Sequence, residues 1–214
     1  GSRSDGSCMM KADNDFWSKR YREEREIWLQ KPSLTATFLA QMTPVPARIF
    51  EVGFGYGRDV TYLNNRGYEV HGMELSEEGF QMALKQTYAD GINSVNLLLG
   101  DFLQASFSNQ AFDAVYSHRV AHLFTEEWQI NQYVKISASM LKSGGYLLTS
   151  ARDVRSKKPT RVGHRLELWD QDRFSKYFAG HFEIENFIEG EEIESANNPE
   201  PTFFTIMVAR CKPV

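Results

Sequence analysis

The residues of this chain best suited to hold a ligand form a glycine-rich turn, Glu51-Val52-Gly53-Phe54-Gly55-Tyr56-Gly57. The turn follows the apolar run 47–50 and precedes a helical pattern that stops at Gly67. Glycines at alternate positions let the backbone turn sharply and approach a ligand that a Cβ would exclude. Backbone N–H groups at the start of the next helix then face the crevice at the end of the strand. The pattern predicts a strand, a tight turn and a helix that bind a nucleotide-like cofactor.

An acidic residue, Glu74, ends the next apolar segment, seventeen positions after Gly57. An acid at the tip of the second strand of a βαβ unit can accept hydrogen bonds from both hydroxyls of a ribose. Folds that bind NAD and folds that bind S-adenosylmethionine share this spacing. The NAD fingerprint is Gly-x-Gly-x-x-Gly, whereas the third glycine here comes one residue early and Glu51 precedes the turn.

An acid followed by Gly-x-Gly-x-Gly resembles the first motif of the class I S-adenosylmethionine-dependent methyltransferases. Segment 99–102 resembles another motif, in which Asp101 would accept from the adenine amino group while Phe102 donates its N–H or stacks. Segment 141–147 resembles a third, with Ser143 in place of the usual proline. The matches span residues 47–150 and imply methyl transfer with S-adenosylmethionine as cofactor. The implied cofactor contacts are Glu51, Gly53, Gly55, Gly57, Glu74, Leu75, Asp101, Phe102, Ser117 and His118.

Strand and helix patterns alternate along the chain, which predicts an α/β fold with a parallel sheet and helices on both faces. Strands are predicted over 47–53, 69–75, 95–100, 112–118 and 145–151, and helices over 58–66, 76–89, 125–142 and 170–178. Two β-rich segments, 182–188 and 202–209, flank a predicted turn at 197–201. A terminal antiparallel pair implies the doubly wound, Rossmann-like, seven-stranded and mostly parallel sheet of the methyltransferases.

An amphipathic helix is predicted over 16–28, and a second helix from a Ser33 cap through Leu39. Methyltransferases of this class use a helix here to cover the methionine end of the cofactor, so the resemblance implies cofactor contacts from Trp17, Tyr21 and Trp28. We predict a tail over residues 1–9 and a single methyltransferase domain over 10–214, with a helical cover at 14–40.

The loop after the fourth strand lies, by the same resemblance, beneath the donor methyl group. This makes His118, Arg119 and His122 the candidate catalytic residues, although simple packing is an alternative for His122. His118 has the intrinsic pKa, about 6.5, of a general base if the acceptor carries a proton. The two histidines have i, i+4 spacing, but Arg119 stands where the zinc motif has glutamate, so we predict no metal.

A basic segment follows the fifth strand, with six Lys/Arg in the fourteen residues 152–165. One interpretation is a solvated loop. The other is a lid that receives an anionic substrate, because loops at strand carboxyl ends line the crevice and arginine binds carboxylates and other oxyanions. Arg152 and Arg155 are the predicted substrate contacts.

Composition limits the class of partner. The chain has 214 residues and a net charge of −4, which fits one domain and gives no basic field for nucleic acid. The loop after the fourth strand also lacks the Asn/Asp-Pro-Pro-Tyr/Phe segment of nucleobase aminomethylases. No apolar run approaches the roughly 20 residues of a membrane span. Cys8 and Cys211 lie near opposite ends, which favours a reducing cytoplasm. We expect neither a nucleic-acid partner nor a membrane partner.

The ends of the chain are similar to the small-molecule branch that includes tellurite-resistance and thiopurine methyltransferases. This implies direct displacement onto a small acceptor, neutral or anionic, whose nucleophile is S, Se, Te, N or O. A methyltransferase acting on a protein or carrier-bound substrate remains open, as does a non-catalytic S-adenosylmethionine-binding regulator. An NAD-dependent oxidoreductase is a third alternative. The sequence predicts neither the acceptor nor the oligomeric state.

Overall fold

The computed structural model describes residues 15–22, 31–92, 94–156, 166–195 and 198–213. Within these residues seven strands form one sheet, in the spatial order third, second, first, fourth, fifth, seventh, sixth. The first five run parallel, and the seventh is antiparallel to both of its neighbours. The strands are β1 (Arg48–Val52), β2 (Glu69–Glu74), β3 (Asn96–Leu99), β4 (Phe112–Ser117), β5 (Leu141–Arg152), β6 (Phe182–Ser195) and β7 (Asn198–Cys211).

Helices cover both faces of the sheet, and local sequence explains where several of them begin. Ser33, Ser76 and Asp170 each accept a hydrogen bond from a backbone N–H of the first helical turn. The described helices are α1 (15–22), α2 (Leu34–Met42), α3 (Arg58–Asn64), α4 (Glu77–Ala89), α5 (Glu127–Met140) and α6 (Gln171–Phe178). Single 3₁₀ turns follow β3 at Phe102–Gln104 and β4 at Ala121–Leu123.

Alternation along the strands sends their side chains into two cores, one on each face of the sheet. In β1, Ile49 packs with residues of α2, α3 and α4, whereas Phe50 packs with residues of α5 and α6. Burial of one large apolar side chain such as Phe178 stabilises the fold by about 1.5–3 kcal/mol. The two cores therefore hold the strand ends in fixed positions.

The order of the strands leaves a crevice at one edge of the sheet. β1 lies between β2 and β4, so the chain winds in opposite directions on its two sides. Ligands of open α/β sheets bind outside the carboxyl ends of the strands at such a switch point. The loops that follow β1, β2 and β4 meet there, and predicted site residues lie in these loops and at the ends of β3 and β5.

The predicted architecture is confirmed: a seven-stranded, mostly parallel sheet that ends in an antiparallel pair, with helices on both faces. The helices predicted over 125–142 and 170–178 are observed at Glu127–Met140 and Gln171–Phe178. Ser33 caps α2, as predicted. The predicted tail at 1–9 and the predicted cofactor contact Trp28 lie outside the described residues. Among those described, no helix is both long and apolar enough to cross a bilayer.

The prediction of a turn at 197–201 was wrong for residues 198–201, the part of it that the structure describes. β7 already begins at Asn198, and Ile193 of β6 pairs with Pro201. Asparagine and proline are common in turns, and proline has no backbone N–H to donate to a neighbouring strand. The sequence therefore indicated a turn here. Here β7 first pairs with β5 at Phe204, so its opening residues pair with β6 alone. Proline is tolerated on a strand that has one open edge.

Candidate active site

A cavity of about 740 Å³ lies at the carboxyl ends of β1, β2 and β4. Its walls come from the glycine-rich turn, the strand ends, the loop after β4 and helix α1. The volume falls within the roughly 300–1,000 Å³ of small-molecule and cofactor sites. The cavity thus occupies the crevice that the strand order creates.

The three glycines of the turn all require left-handed backbone, with φ of 72° at Gly53, 57° at Gly55 and 86° at Gly57. Neighbouring atoms leave little room for a side chain. A Cβ at Gly53 would lie 2.8 Å from Val120 Cγ2, and one at Gly57 would lie 3.0 Å from Ala83 Cβ. Gly57 also starts α3. The glycine pattern is therefore explained by turn geometry and close packing; Gly53 and Gly55 line the cavity, whereas the predicted cofactor contact Gly57 does not line it in the described structure.

Helix α1 closes the cavity through Tyr21, which is buried. A Cβ at Gly55 would lie 2.8 Å from Tyr21 Oη, and one at Gly79 would lie 3.0 Å from its Cε2. The phenol ring therefore packs between the glycine-rich turn and the start of α4. Burial, and then the negative charge of Glu74, raise the pKa of Tyr21 well above its ordinary value, so the phenol stays neutral. Trp17 lines the same cavity, with its ring 6.3 Å from that of Tyr21.

Glu74 is buried at the end of β2 and holds the glycine-rich turn. Its Oε2 accepts from the Gly55 N–H at 2.8 Å, and its Oε1 accepts from the Ser76 N–H at 2.9 Å. Burial raises the pKa of Glu74 and outweighs these two hydrogen bonds, which act to lower it. Each carboxylate oxygen can accept a further hydrogen bond. The side chain can therefore fix the turn and still bind a ribose hydroxyl.

Asp101 follows β3 and is half-buried. Its Oδ1 accepts from the Leu103 N–H at 2.9 Å, and burial raises the pKa of the carboxyl group. The neighbouring ring of Phe102 packs in the core, with centroids 5.9 Å from Phe50 and 5.7 Å from Tyr133. This position favours the backbone N–H of Phe102, over its ring, as a contact for adenine.

Glu51 provides a test of whether the site fits the expected cofactor. The residue is 3% exposed and lines the cavity. Its Oε2 is buried and has no hydrogen-bond partner in the part of the chain that the structure describes. Burial, and then the negative charge of Asp59, raise the pKa of Glu51 well above its usual range. A buried oxygen without a partner is destabilising, and an ammonium group would satisfy it.

S-adenosylmethionine carries such an ammonium group on its amino-acid end, so the residues of this site fit the cofactor. Glu51 would hold its amino group, Glu74 its ribose and Asp101 its adenine. The three acids stand at or just after the carboxyl ends of three neighbouring strands, β1, β2 and β3, and all line one cavity.

His118, at the end of β4, is hydrogen-bonded to the protein at both ring nitrogens. Nε2 lies 3.0 Å from Glu192 Oε2, and Nδ1 lies 2.8 Å from Thr35 Oγ1 and 3.2 Å from Ser150 Oγ. Burial lowers the pKa of His118 and outweighs the contrary effect of Glu192, so the ring is neutral near neutral pH. The ring can take a proton from a substrate only if one of these hydrogen bonds breaks.

Arg119 follows with a φ of 61°, which is uncommon for a residue with a side chain. Its backbone N–H donates to Ser150 Oγ at 2.7 Å. Its Nη1 lies 3.8 Å from Glu192 Oε2. Backbone outliers of this kind cluster at functional sites. The left-handed turn puts the arginine in the cavity wall, where its side chain is buried.

The two predicted substrate arginines occupy different surroundings. Arg152 is buried in the cavity wall beside His122, and its backbone N–H donates to His122 Nδ1 at 3.3 Å, which places the ring proton on Nε2. Arg155 does not line the cavity in the described structure. Its guanidinium pairs with Asp153 at 2.7 Å and with Glu189 at 2.8 Å.

Ser117 is placed in the core. The residue is fully buried, and its Oγ lies 3.0 Å from Tyr133 Oη, which in turn lies 2.9 Å from Thr149 Oγ1. Ser117 therefore anchors the end of β4. The predicted residues that line the cavity are Trp17, Tyr21, Glu51, Gly53, Gly55, Glu74, Leu75, Asp101, Phe102, His118, Arg119, His122 and Arg152.

Sequence reasoning missed three residues that shape the site: Thr35, Gly79 and Glu192. Gly79 had a signal, because a glycine inside a helix is less favourable than alanine by about 1 kcal/mol and so indicates close packing. Glu192 had none, because it stands among several acids of an edge strand, a pattern typical of a solvated face. Thr35 lies in the first turn of α2, where threonine is common.

A metal site is not found in the described residues, since no three His, Cys, Asp or Glu side chains are grouped to hold an ion. His118 and His122 have separate partners, Glu192 for one and the backbone of Arg152 for the other. The i, i+4 spacing of the two histidines therefore serves two different local contacts.

Comparison with known proteins extends these observations. Residues 50–149 match the family model described as a methyltransferase domain. A search of curated proteins gave no significant match. Solved structures with a similar fold include Burkholderia thailandensis 1,6-didemethyltoxoflavin-N1-methyltransferase, which was solved with 1,6-didemethyltoxoflavin and S-adenosylhomocysteine bound. The TM-score is 0.78 at 16% identity, over 100% of this chain and 93% of that one.

Two further structures have the same fold. One comes from work on the conversion of a disulfide bond into a thioacetal group during echinomycin biosynthesis, with a TM-score of 0.77, 19% identity and 93% of each chain covered. The other is TehB from Haemophilus influenzae, with a TM-score of 0.69 and 20% identity over 93% of this chain and 67% of TehB. The family match shows a methyltransferase domain over residues 50–149, and the sheet order and the cavity residues around it fit S-adenosylmethionine as the methyl donor.

Proposed function

We propose that this methyltransferase acts on a small, negatively charged acceptor molecule. The observation that carries the proposal is the covered form of the cavity, because α1 lies over the glycine-rich turn with Tyr21 packed against Gly55 and Gly79. A protein or carrier-bound acceptor would need an open groove to reach the donor methyl. A pocket of about 740 Å³ suits a free small molecule beside the cofactor.

Two buried arginines, Arg119 and Arg152, support a negatively charged acceptor. Both line the cavity. A guanidinium binds carboxylates and other oxyanions through paired N–H donors. Apolar residues of the same wall, among them Val120 and Phe124, lower the local dielectric and strengthen such contacts.

Methyl transfer from S-adenosylmethionine requires little acid–base chemistry from the protein. The bound cofactor supplies an electrophilic methyl group on a good leaving group. Alignment of the acceptor with that methyl can contribute on the order of 7–11 kcal/mol, and a base is needed only if the acceptor carries a proton. Since both nitrogens of His118 are engaged, the site favours an acceptor that arrives as an anion or with a free lone pair on S, Se, Te, N or O. The similar toxoflavin N1-methyltransferase, solved with 1,6-didemethyltoxoflavin, makes small nitrogen heterocycles worth including in a screen.

A labelling experiment tests the size of the acceptor. The protein is incubated with methyl-labelled S-adenosylmethionine and either the ultrafiltrate or the macromolecular fraction of a cell extract. We expect label in small molecules of the ultrafiltrate. Label found only in protein or carrier-bound products would overturn the proposal, and tight S-adenosylhomocysteine binding without transfer to either fraction would favour a regulatory protein.

A pair of variants tests the charge of the acceptor. Arg152→Gln should raise the KM for an anionic acceptor by about tenfold or more, the loss typical of a hydrogen bond to a charged group. Arg155→Gln is the matched control and should leave that KM near the wild-type value, because Arg155 pairs with Asp153 and Glu189 away from the cavity. Equal effects of the two substitutions, or loss of S-adenosylhomocysteine binding in Arg152→Gln, would contradict the assignment.

A cytoplasmic location is part of the same proposal. The described chain contains one cysteine, Cys211, and its thiol is free and buried. Cytoplasmic proteins keep their thiols reduced. Cell fractionation tests the location, and recovery of the protein outside the cytoplasm would refute it.

A further inference from the structure

Glu192 reaches His118, a residue of the cavity wall, from the far edge of the sheet. β6 extends beyond the point at which β7 leaves β5, because Glu192 pairs with Thr202 whereas β7 first pairs with β5 at Phe204. The extension brings the carboxylate to the end of β4, where its Oε2 lies 3.0 Å from His118 Nε2. The side chain of Glu192 is 18% exposed.

Two arginines share this carboxylate. Glu192 Oε2 lies 3.8 Å from Arg119 Nη1 and 4.0 Å from Arg58 Nη2. Burial alone would raise the pKa of Glu192, but the hydrogen bond from His118 and the charges of Arg58 and Arg119 lower it to about 2. The carboxylate is therefore ionised at every physiological pH, and each group around it is a donor or a cation.

The ionised carboxylate fixes the tautomer of His118. A carboxylate can only accept, so Nε2 must carry the ring proton. Nδ1 then accepts from a hydroxyl, either Thr35 Oγ1 at 2.8 Å or Ser150 Oγ at 3.2 Å. Ser150 Oγ also accepts the backbone N–H of Arg119. Glu192 and Ser150 therefore each contact both His118 and Arg119.

His118 and Arg119 line the cavity, whereas Glu192 does not line it in the described structure. Its influence on an acceptor must therefore pass through its neighbours: Arg58, which also lines the cavity and lies 4.0 Å from Glu192 Oε2, and the pair His118 and Arg119. A displacement of about 1 Å at a positioning group can slow an enzyme about a hundredfold. The position of Glu192, behind both residues, is that of a group that orients them.

We propose that Glu192 is a positioning residue of the methyltransferase, which holds His118 in the Nε2–H tautomer and holds the Arg119 guanidinium at the acceptor end of the cavity. This inference rests on the proposed function, because it concerns how that same acceptor is placed. It assigns a role in catalysis to the extended part of the β6–β7 hairpin.

Three variants separate positioning from a general structural effect. Glu192→Gln removes the charge and keeps the shape, Glu192→Asp keeps the charge on a shorter side chain, and Glu191→Gln removes a charge from the exposed neighbouring position of the same strand. We expect Glu192→Gln to lower kcat/KM for the acceptor by about tenfold to a hundredfold, with S-adenosylhomocysteine affinity within about twofold of wild type. Glu192→Asp should retain intermediate activity, and Glu191→Gln should match the wild type.

Equal activity of Glu192→Gln and Glu191→Gln would overturn the proposal, as would an equal loss of cofactor affinity and acceptor turnover in Glu192→Gln. The comparison remains valid if the labelled methyl group goes to a protein, so failure of the proposed acceptor class is distinguishable from failure of this inference.

The tautomer of His118 gives a second measurement that does not depend on a variant of Glu192. Two-bond ¹⁵N–¹H correlation spectra of the ¹⁵N-histidine-labelled protein with S-adenosylhomocysteine distinguish Nε2–H from Nδ1–H. We expect a neutral Nε2–H ring for His118 near neutral pH, assigned by its loss in His118→Asn. An Nδ1–H ring would show that Glu192 does not accept a hydrogen bond from Nε2 and would overturn the proposal.

Discussion

Cofactor binding should release a proton from Glu51. In the ligand-free protein, burial and then the charge of Asp59 raise the pKa of this carboxyl group well above its usual range, which favours its protonated form. An ammonium group at the buried Oε2 favours the carboxylate. A hydrogen bond to a charged group contributes about 1.5–3 kcal/mol, and about 1.4 kcal/mol corresponds to one pKa unit. Binding should therefore lower the pKa of Glu51 and release its proton.

Calorimetry measures this release directly. S-adenosylhomocysteine is titrated into the protein in buffers of different ionisation enthalpy, at about pH 6 and about pH 8, and the buffer dependence of the heat gives the number of protons released. We expect release in the wild type and none in Glu51→Gln, which should also bind about tenfold or more weakly. Glu77→Gln, at an exposed position in the first turn of α4, is the control. Heats that do not depend on the buffer at either pH, or unchanged release in Glu51→Gln, would refute this role for Glu51.

Three further predictions concern the turn and the hairpin. Glu74→Ala should weaken S-adenosylhomocysteine binding by about 1.5–3 kcal/mol, measured by calorimetry, and unchanged affinity would remove Glu74 from the site. Gly55→Ala should also weaken binding, because its Cβ would lie 2.8 Å from Tyr21 Oη; Tyr21→Phe in the same chain should restore part of the affinity, and no restoration would exclude this clash as the cause. Because the pKa of Glu192 is lowered to about 2 from an ordinary 4.5, its stabilising effect is present above about pH 4.5 and lost towards pH 2, about 3 kcal/mol in all. Denaturant titrations at several pH values should show that the free energy of unfolding falls less at acidic pH in Glu192→Gln than in the wild type. An equal fall in both proteins would contradict the pairing.

The parts of the site that are contiguous in sequence could be predicted. The glycine-rich turn, Glu74 and Asp101 each stand at a strand end, and strand ends are set by local apolar patterns. Parallel strands bring their carboxyl ends to one edge of the sheet, so these residues meet whatever the details of packing. The structure adds the reason for Gly55, where a Cβ would lie 2.8 Å from the phenol oxygen of Tyr21.

The parts that depend on distant chain segments could not be predicted. Glu192 meets His118 across 74 positions of sequence, and only the length of the β6–β7 pairing brings them together. That length was itself underestimated, because Pro199 and Pro201 indicated a turn where the chain continues as strand. Arg152 and Arg155 also looked equivalent in sequence, yet one is buried in the cavity wall and the other pairs with Asp153 and Glu189.

We infer that the crevice at the carboxyl ends of β1, β2 and β4 binds S-adenosylmethionine through a glycine-rich turn and three acids. Parallel calorimetric titrations of the whole chain with S-adenosylhomocysteine and with NADH test it most directly. We expect saturable one-to-one binding of S-adenosylhomocysteine, weakened by substitution of Glu51 or Glu74, and no heat of binding for NADH. Saturable binding of NADH, or no binding of S-adenosylhomocysteine by the folded protein, would contradict it.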